Sequence, residues 1–173
     1  HLVNVGLARR NRCQCPHCQE VNSYPDPMAG PPDHRLFALE YFCPTCKPRH
    51  KGRFFKAPDS EDFLRLAAVE TEWANQPAMF IPDDEIPGGD ETSRLHRWGY
   101  RHYHEMFNKR QLLGLELSCR LISQHPEERL RNALATNLSD LLRYQNMLCR
   151  YDAVALKSLD IFSVHGFPVG LIQ

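Results

Sequence analysis

The residues with the clearest chemical meaning are four cysteines, arranged as two Cys-X-X-Cys pairs. The pairs are Cys15-Pro-His-Cys18 and Cys43-Pro-Thr-Cys46, with 24 residues between them. A two-residue gap lets two thiolates of one tight turn bind the same ion, and zinc favours tetrahedral thiolate coordination. The predicted zinc ligands are Cys15, Cys18, Cys43 and Cys46. Because four protein ligands leave no position for water, this zinc is expected to be structural.

Other interpretations of the cysteines stay open. Cys13 lies two residues before the first pair and can replace Cys15 as a ligand. Disulfides are not expected in a cytoplasmic chain, and a redox-active Cys-X-X-Cys does not normally occur twice. An iron site of the rubredoxin type is a third alternative and would make the protein red. Cys119 and Cys149 lie in helical sequence and are expected to be small buried residues. Three nearby histidines are not needed as ligands: His17, His34 and His50.

A second chemical signal is the arginine-rich, aromatic stretch at residues 94–104. Arginine and lysine bind phosphates, and an exposed aromatic ring can stack on a base. The predicted nucleic-acid contacts are Arg94, Arg97, Arg101, Lys109 and Arg110. Trp98 or Tyr100 would supply the stacking ring. The alternative is that the rings anchor an irregular loop and the arginines are simply solvated.

The formal net charge is zero, but the charges are segregated along the sequence. Residues 1–56 hold nine lysines and arginines against four acids, residues 57–93 one against ten, and residues 94–173 eleven against seven. Because phosphate attraction depends on the local field, two basic segments can form a nucleic-acid surface on a neutral chain. The acidic block is otherwise interpreted as a solvated linker and helix face.

Strands and tight turns are expected to hold the cysteines. Residues 35–42 are the strongest short apolar run of this segment and alternate well enough to predict a strand leading into the second pair, with Arg53–Lys56 as its partner. The proline-rich residues 24–33 predict a loop, since proline removes a backbone donor. We therefore predict a zinc-ribbon domain over residues 1–57.

Beyond Pro58 the pattern becomes helical. Ser60 is a candidate N-cap for a helix to about residue 75, followed by an acidic connector. Asn108 is predicted to cap an almost wholly buried helix to about residue 123, and Pro126 to open another to about residue 143. Residues 58–93 thus form an acidic helix and connector, and residues 94–173 a helical segment. The expected fold class is α+β, a small zinc ribbon followed by mainly helical structure.

The composition limits the function classes. Apolar residues make up 42% and charged residues 24% of the chain, as in globular proteins. No stretch has the ~20 apolar residues that span a bilayer, and the start lacks the pattern of a signal peptide, so we expect a cytoplasmic protein with no membrane partner. No phosphate-binding loop, nucleophile elbow or catalytic metal cluster is evident, so no catalytic or cofactor-binding residue is assigned. The start at His1 and the apolar end suggest an internal segment of a larger protein.

The order of these features resembles the adenine-specific DNA methylases that contain a zinc ribbon. The resemblance rests on the two cysteine pairs, on Pro82-Asp-Asp-Glu-Ile-Pro87 and on Met106-Phe-Asn-Lys-Arg-Gln-Leu-Leu113. In that family the ribbon precedes a Pro-X-X-X-Leu-Pro connector and a Phe-Thr-X-Arg-Gln-Leu-Leu helix start. Asn146-Met-Leu-Cys-Arg150 is similar to the family's Asn-X-X-Leu-Cys-Arg. Asn108 stands where the family usually has Thr, and both residues can cap a helix.

The resemblance implies a Rossmann-like enzyme that uses S-adenosylmethionine to methylate the exocyclic amine of adenine, with the base turned out of the duplex. Its Phe-X-Gly-X-Gly cofactor motif would precede His1 and its Asp-Pro-Pro-Tyr loop would follow Gln173. Cofactor binding and catalysis then belong to the full-length protein, whose partner is DNA. This chain would position DNA or brace the flanking methylase core. The alternative is a free-standing zinc-ribbon adaptor that binds nucleic acid or a protein partner.

Overall fold

The computed structural model describes residues 8–9, 12–15, 18–22, 26–46, 53–152 and 154–163. These residues form a mixed α+β fold with short antiparallel strand pairings and four α-helices. The chain divides into two compact units, one of His1–Pro32 with Ala78–Gln173 and the other of Asp33–Pro77. In the part of the chain that the structure describes, no helix combines the length and apolar character that crossing a membrane requires. The segment boundaries predicted at residues 57 and 93 stay predictions.

Three short strands open the first unit. Strands β1 (Ala8–Arg9), β2 (Arg12–Gln14) and β3 (Val21–Asn22) pair antiparallel in that order, with Gln14 opposite Val21. The predicted loop at residues 24–33 contains neither helix nor strand over its described residues, 26–33. Its first bend is an Asp26 turn, in which the carboxylate accepts the Met28 N–H at 2.9 Å.

Over its described residues, 33–46 and 53–77, the second unit contains one β-hairpin and one long helix. Strand β4 (Leu39–Phe42) pairs antiparallel with β5 (Arg53–Lys56), which places Leu39 opposite Lys56 and Phe42 opposite Arg53. The predicted partner strand is therefore confirmed. The strand predicted over residues 35–42 begins only at Leu39, because its partner has four residues to pair with.

Helix α1 (Ser60–Asn75) ends where the sequence predicts but begins with a different cap. Asp59, not Ser60, is the N-cap. The Asp59 carboxylate accepts the Asp62 N–H and the Asp62 carboxylate accepts the Asp59 N–H, both at 3.1 Å, which forms a capping box. The prediction failed because both residues are good caps and only the extended backbone at Asp59 distinguishes them.

The other helices, α2 (Ser93–Arg97), α3 (Lys109–Ser123) and α4 (Glu128–Leu141), belong to the first unit. Asn108 caps α3 as predicted. Pro126 lies just before α4 rather than in its first turn, and α4 ends two residues before the predicted residue 143. The prediction that α3 is almost wholly buried is wrong, because Leu121 on this helix is 72% exposed.

A small apolar core organises the first unit around the segment that follows the acidic connector. Its buried residues are Ile86, Leu95, Trp98, Tyr100, Met106, Leu148 and Ile161. Gly99 within this core has φ +86°, and a Cβ built there would lie 2.2 Å from the Gly30 carbonyl oxygen. This close approach admits only glycine. Near the C-terminal end, β6 (Tyr151–Asp152) and β7 (Lys157–Ser158) form a short antiparallel pair.

Candidate functional site

The first cysteine pair lies in a closed turn between β2 and β3. Cys15 N–H donates to Glu20 O at 2.8 Å, and Gln19 N–H donates to Cys15 O at 3.0 Å. Gln19 has φ 62°, the left-handed conformation that reverses the chain directly after Cys18. Cys15 is half-buried and Cys18 is exposed. The pair therefore belongs to one tight turn, the arrangement expected of two ligands to one ion.

The second pair follows β4 directly and lies in the connection between the two strands of its hairpin. Cys43 is half-buried, and Pro44–Cys46 form one turn of 3-10 helix. The side chains of Cys13 and Cys46 lie outside the described part of the structure, as do His17 and His50; His34 is exposed. The two pairs belong to different compact units, and zinc binding by all four cysteines stays a prediction.

The other two cysteines lie in the first unit, half-buried rather than fully buried as predicted. Burial, with a contribution from the nearby Glu116 carboxylate, raises the pKa of the Cys119 thiol. The Cys149 Sγ donates to the Arg143 carbonyl oxygen at 3.2 Å. The raised pKa of Cys119 favours its neutral thiol over the reactive thiolate.

The aromatic rings of the basic stretch lie inside the first unit. Trp98 is 9% and Tyr100 is 3% exposed, and burial raises the pKa of the Tyr100 hydroxyl. These two rings therefore anchor the segment to the core, as the alternative interpretation expects, and do not present a face to a base. The predicted phosphate contacts are all exposed: Arg94, Arg97, Arg101, Lys109 and Arg110. Their role in binding nucleic acid stays a prediction.

A buried carboxylate ties α3 to the chain before it. The Glu116 side chain is 0% exposed. It accepts the N–H groups of Met79 and Phe80 at 3.2 and 2.9 Å and Arg120 Nε at 2.8 Å. Burial opposes ionisation, but the hydrogen bonds from Phe80, Arg120 and Met79 outweigh it and lower the pKa of Glu116. This carboxylate is thus a structural anchor.

An apolar cavity lies between α3, α4 and the acidic connector. Its volume is about 510 Å³, within the range of small-molecule sites. Phe80 and Ile81 from the connector, Leu115 and Ile122 from α3, and Leu138 from α4 are among its lining residues. The cavity offers apolar contact and few polar groups, so by itself it suggests packing rather than chemistry.

Two of the motifs on which the family resemblance rests contact each other directly. The Met147 N–H donates to the Met106 carbonyl oxygen at 2.8 Å, and Asn108 Nδ2 lies 3.0 Å from Met147 Sδ. Asn146 is buried, and its Oδ1 accepts the Leu148 N–H at 3.0 Å. Residues 106–113 and 146–150 thus form one structural feature although they are far apart in the sequence.

A cluster that the sequence did not reveal joins one acid and two histidines. His102 Nδ1 and His104 Nδ1 lie 3.0 and 3.5 Å from the same oxygen, Asp83 Oδ1. His102 precedes a 3-10 helix, Tyr103–Met106, and His104 lies within it. Asp83 comes 19 residues before His102, in a connector whose conformation the sequence pattern does not predict. Only the pairing of two irregular segments brings the three together.

Comparisons with known proteins do not assign this chain to a family. No family model, no curated protein and no solved structure matches this chain. The methylase resemblance therefore rests on the sequence motifs alone.

Proposed function

We propose that this chain is the zinc-binding and helical segment of a DNA adenine methyltransferase that uses S-adenosylmethionine. The observation that carries the proposal is the direct contact of two family-like motifs, through Met147 N–H to Met106 O at 2.8 Å and Asn108 Nδ2 to Met147 Sδ at 3.0 Å. Motifs that act together in one structural role are expected to meet. On this proposal the segment does not catalyse; it braces the core and helps to bind DNA.

The start of α3 gives a physical reason for the most specific motif. Asn108 Oδ1 accepts the Gln111 N–H, and Gln111 Oε1 accepts the Asn108 N–H, both at 2.9 Å. This is a capping box, and the family's Thr-X-Arg-Gln has the same spacing between cap and glutamine. Leu112 and Leu113 follow immediately and are buried. The motif therefore fixes where the helix starts and which residues enter the core.

The turn geometry supports a structural zinc. Each cysteine pair lies between two antiparallel strands, β2 and β3 for the first and β4 and β5 for the second. Thiolates are the preferred ligands of structural zinc, so the donor set fits the ion. The proposed ligands are Cys15, Cys18, Cys43 and Cys46. Zinc would add folding free energy to a segment with few buried apolar residues.

The α3–α4 pair supports a bracing role. Exposed leucines on the two helices include Leu121, Leu130, Leu134 and Leu141, and α4 has no buried residue. Apolar helix faces of this kind are normally covered by another element. On this proposal the methylase core covers them.

The exposed arginines support a DNA-binding contribution that can be measured through its salt dependence. In the intact protein, replacing Arg97 and Arg101 by Ala should weaken binding to all sequences alike. If both contact phosphates, the slope of log affinity against log salt should fall by about two. Arg129→Ala on α4 is the matched control and should leave the slope unchanged.

Methyl transfer tests the proposed function directly. The intact protein would be incubated with S-adenosylmethionine tritiated in its methyl group and a DNA duplex, and the digested bases separated. Label in N6-methyladenine is expected, and a duplex of only G·C pairs should stay unlabelled. If the protein neither binds S-adenosylmethionine nor labels adenine, the methyltransferase proposal fails. Salt-sensitive DNA binding that survives this failure would favour the adaptor.

A further inference from the structure

The cluster of Asp83, His102 and His104 has the donor set of a transition-metal site. His102 Nδ1 and His104 Nδ1 lie 3.0 and 3.5 Å from Asp83 Oδ1, and the three atoms all lie within 4.8 Å of one another. Two ligands at zinc-to-nitrogen or zinc-to-oxygen distances in a tetrahedron are separated by about 3.3–3.4 Å. One ion can therefore bind all three side chains with small movements.

The backbone around the cluster is fixed by hydrogen bonds. Ile86 N–H donates to Arg101 O at 2.7 Å and Tyr103 N–H donates to Asp84 O at 3.2 Å, which pairs the connector with the histidine segment. Glu105 Oε2 accepts the His102 N–H at 2.9 Å. Ile86 itself is buried in the core. The ligand positions are thus held by paired backbone next to the core, as a preorganised metal site requires.

The exposure of the three side chains allows an ion to enter. The side chain of Asp83 is 80% exposed, whereas those of His102 and His104 are 29% and 32% exposed. The imidazoles are therefore held partly within the fold while the carboxylate faces solvent. Imidazole nitrogen favours zinc and its first-row neighbours over magnesium or calcium, which prefer oxygen ligands.

We propose that Asp83, His102 and His104 bind one divalent first-row transition-metal ion, such as Zn²⁺, separately from the cysteine site. Three protein ligands leave one tetrahedral position for water or an external ligand. His104 also lines the apolar cavity between α3 and α4, so the ion would lie beside a space that can hold a small molecule.

Cobalt titration distinguishes this site from the cysteines. The chain would first receive one equivalent of Zn²⁺ and then be titrated with Co²⁺, following the visible absorption and the sulfur-to-cobalt band in the near ultraviolet. The expected result is that one further equivalent of Co²⁺ binds and gives visible absorption without the sulfur-to-cobalt band. Asp83→Asn should lower the affinity for this Co²⁺ ion by at least about tenfold, since even loss of a hydrogen bond to a metal ligand has such an effect.

The controls separate ligand loss from loss of structure. Asp84→Asn changes the neighbouring exposed carboxylate, and His125→Gln changes a histidine outside the cluster, so both should bind cobalt as the parent chain does. His104→Gln should weaken Co²⁺ binding as Asp83→Asn does. The melting temperature of the metal-free Asp83→Asn chain should equal that of the parent chain. The proposal would be overturned if every bound equivalent of Co²⁺ gave a sulfur band. It would also be overturned if Asp83→Asn and Asp84→Asn bound Co²⁺ with equal affinity.

Discussion

At the scale of single residues, Asp62 shows how one side chain joins the hairpin and helix of the second unit. Its carboxylate accepts the Asp59 N–H at 3.1 Å and the Tyr41 hydroxyl at 2.8 Å, and lies 3.2 Å from Lys56 Nζ. These hydrogen bonds, led by the one from Asp59, outweigh the effect of burial and lower the pKa of Asp62 to about 2. The carboxylate thus ties β4 and β5 to the start of α1.

Asp62 therefore gives a prediction with a defined pH dependence. Since the folded pKa is about 2 and the unfolded value is about 3.9, its stabilising effect is complete above the unfolded value and is lost as pH falls towards 2. Asp62→Asn should lower Tm at pH 7, and the difference from the parent chain should shrink towards pH 2. Thermal melts followed by circular dichroism measure this.

The control for Asp62 is Glu70→Gln, an exposed carboxylate on the same helix. It should change Tm little at either pH. An Asp62→Asn deficit of the same size at pH 7 and at pH 2 would contradict the assignment of the low pKa to these hydrogen bonds.

Individual residues also show what sequence reasoning could recognise. Paired cysteines can be recognised because each pair spans four positions, and the cap of α3 can be recognised for the same reason. The cluster of Asp83 with His102 and His104 was missed because its members meet through backbone pairing between irregular segments. The burial of Trp98 and Tyr100 likewise depends on which surface the segment turns inward, and composition does not determine that.

At the scale of elements, the capping box of α3 gives the second prediction. Asn108→Ala removes the side-chain acceptor of the Gln111 N–H and should cost about 1 kcal/mol of stability. Asn108→Thr, which installs the residue usual in the resembling family, should retain most of it. Urea denaturation of the three chains compares them directly. Equal losses for Ala and Thr would show that capping is not the role of this position.

The elements predicted best are those with local signals. Helix α3 was predicted from its cap and apolar spacing, and β5 as the partner of the strand before the second cysteine pair, and both are confirmed. The predicted start of β4 was wrong because the length of a paired strand depends on its partner strand. The predicted burial of α3 was wrong because the sequence shows that Leu121 is apolar but not what covers it. Local chemistry determines a helix, whereas its surroundings determine its burial.

At the scale of the whole molecule, the exposed helix faces give the third prediction. Leu121 is 72% exposed and Leu112 is 7% exposed on the same helix. In this chain Leu121→Lys should change stability by less than about 0.5 kcal/mol. Leu112→Ala, the matched buried change, should cost about 2–5 kcal/mol. Urea denaturation measures both.

In the intact protein the expectation for Leu121 reverses. If the methylase core covers this face, Leu121→Lys places a charge in an apolar interface and should lower Tm clearly. A variant as stable as the parent in the intact protein would contradict the bracing role.

The coordination of zinc by the cysteine pairs can be measured directly. The chain would be loaded with one equivalent of Zn²⁺ and measured by X-ray absorption at the zinc edge. Four sulfur neighbours at about 2.3 Å are expected. Cys43→Ser should lose sulfur from this shell, whereas Cys119→Ser should not. A shell of nitrogen and oxygen at about 2.0–2.1 Å, or a chain that does not retain zinc, would rule out a four-cysteine zinc site.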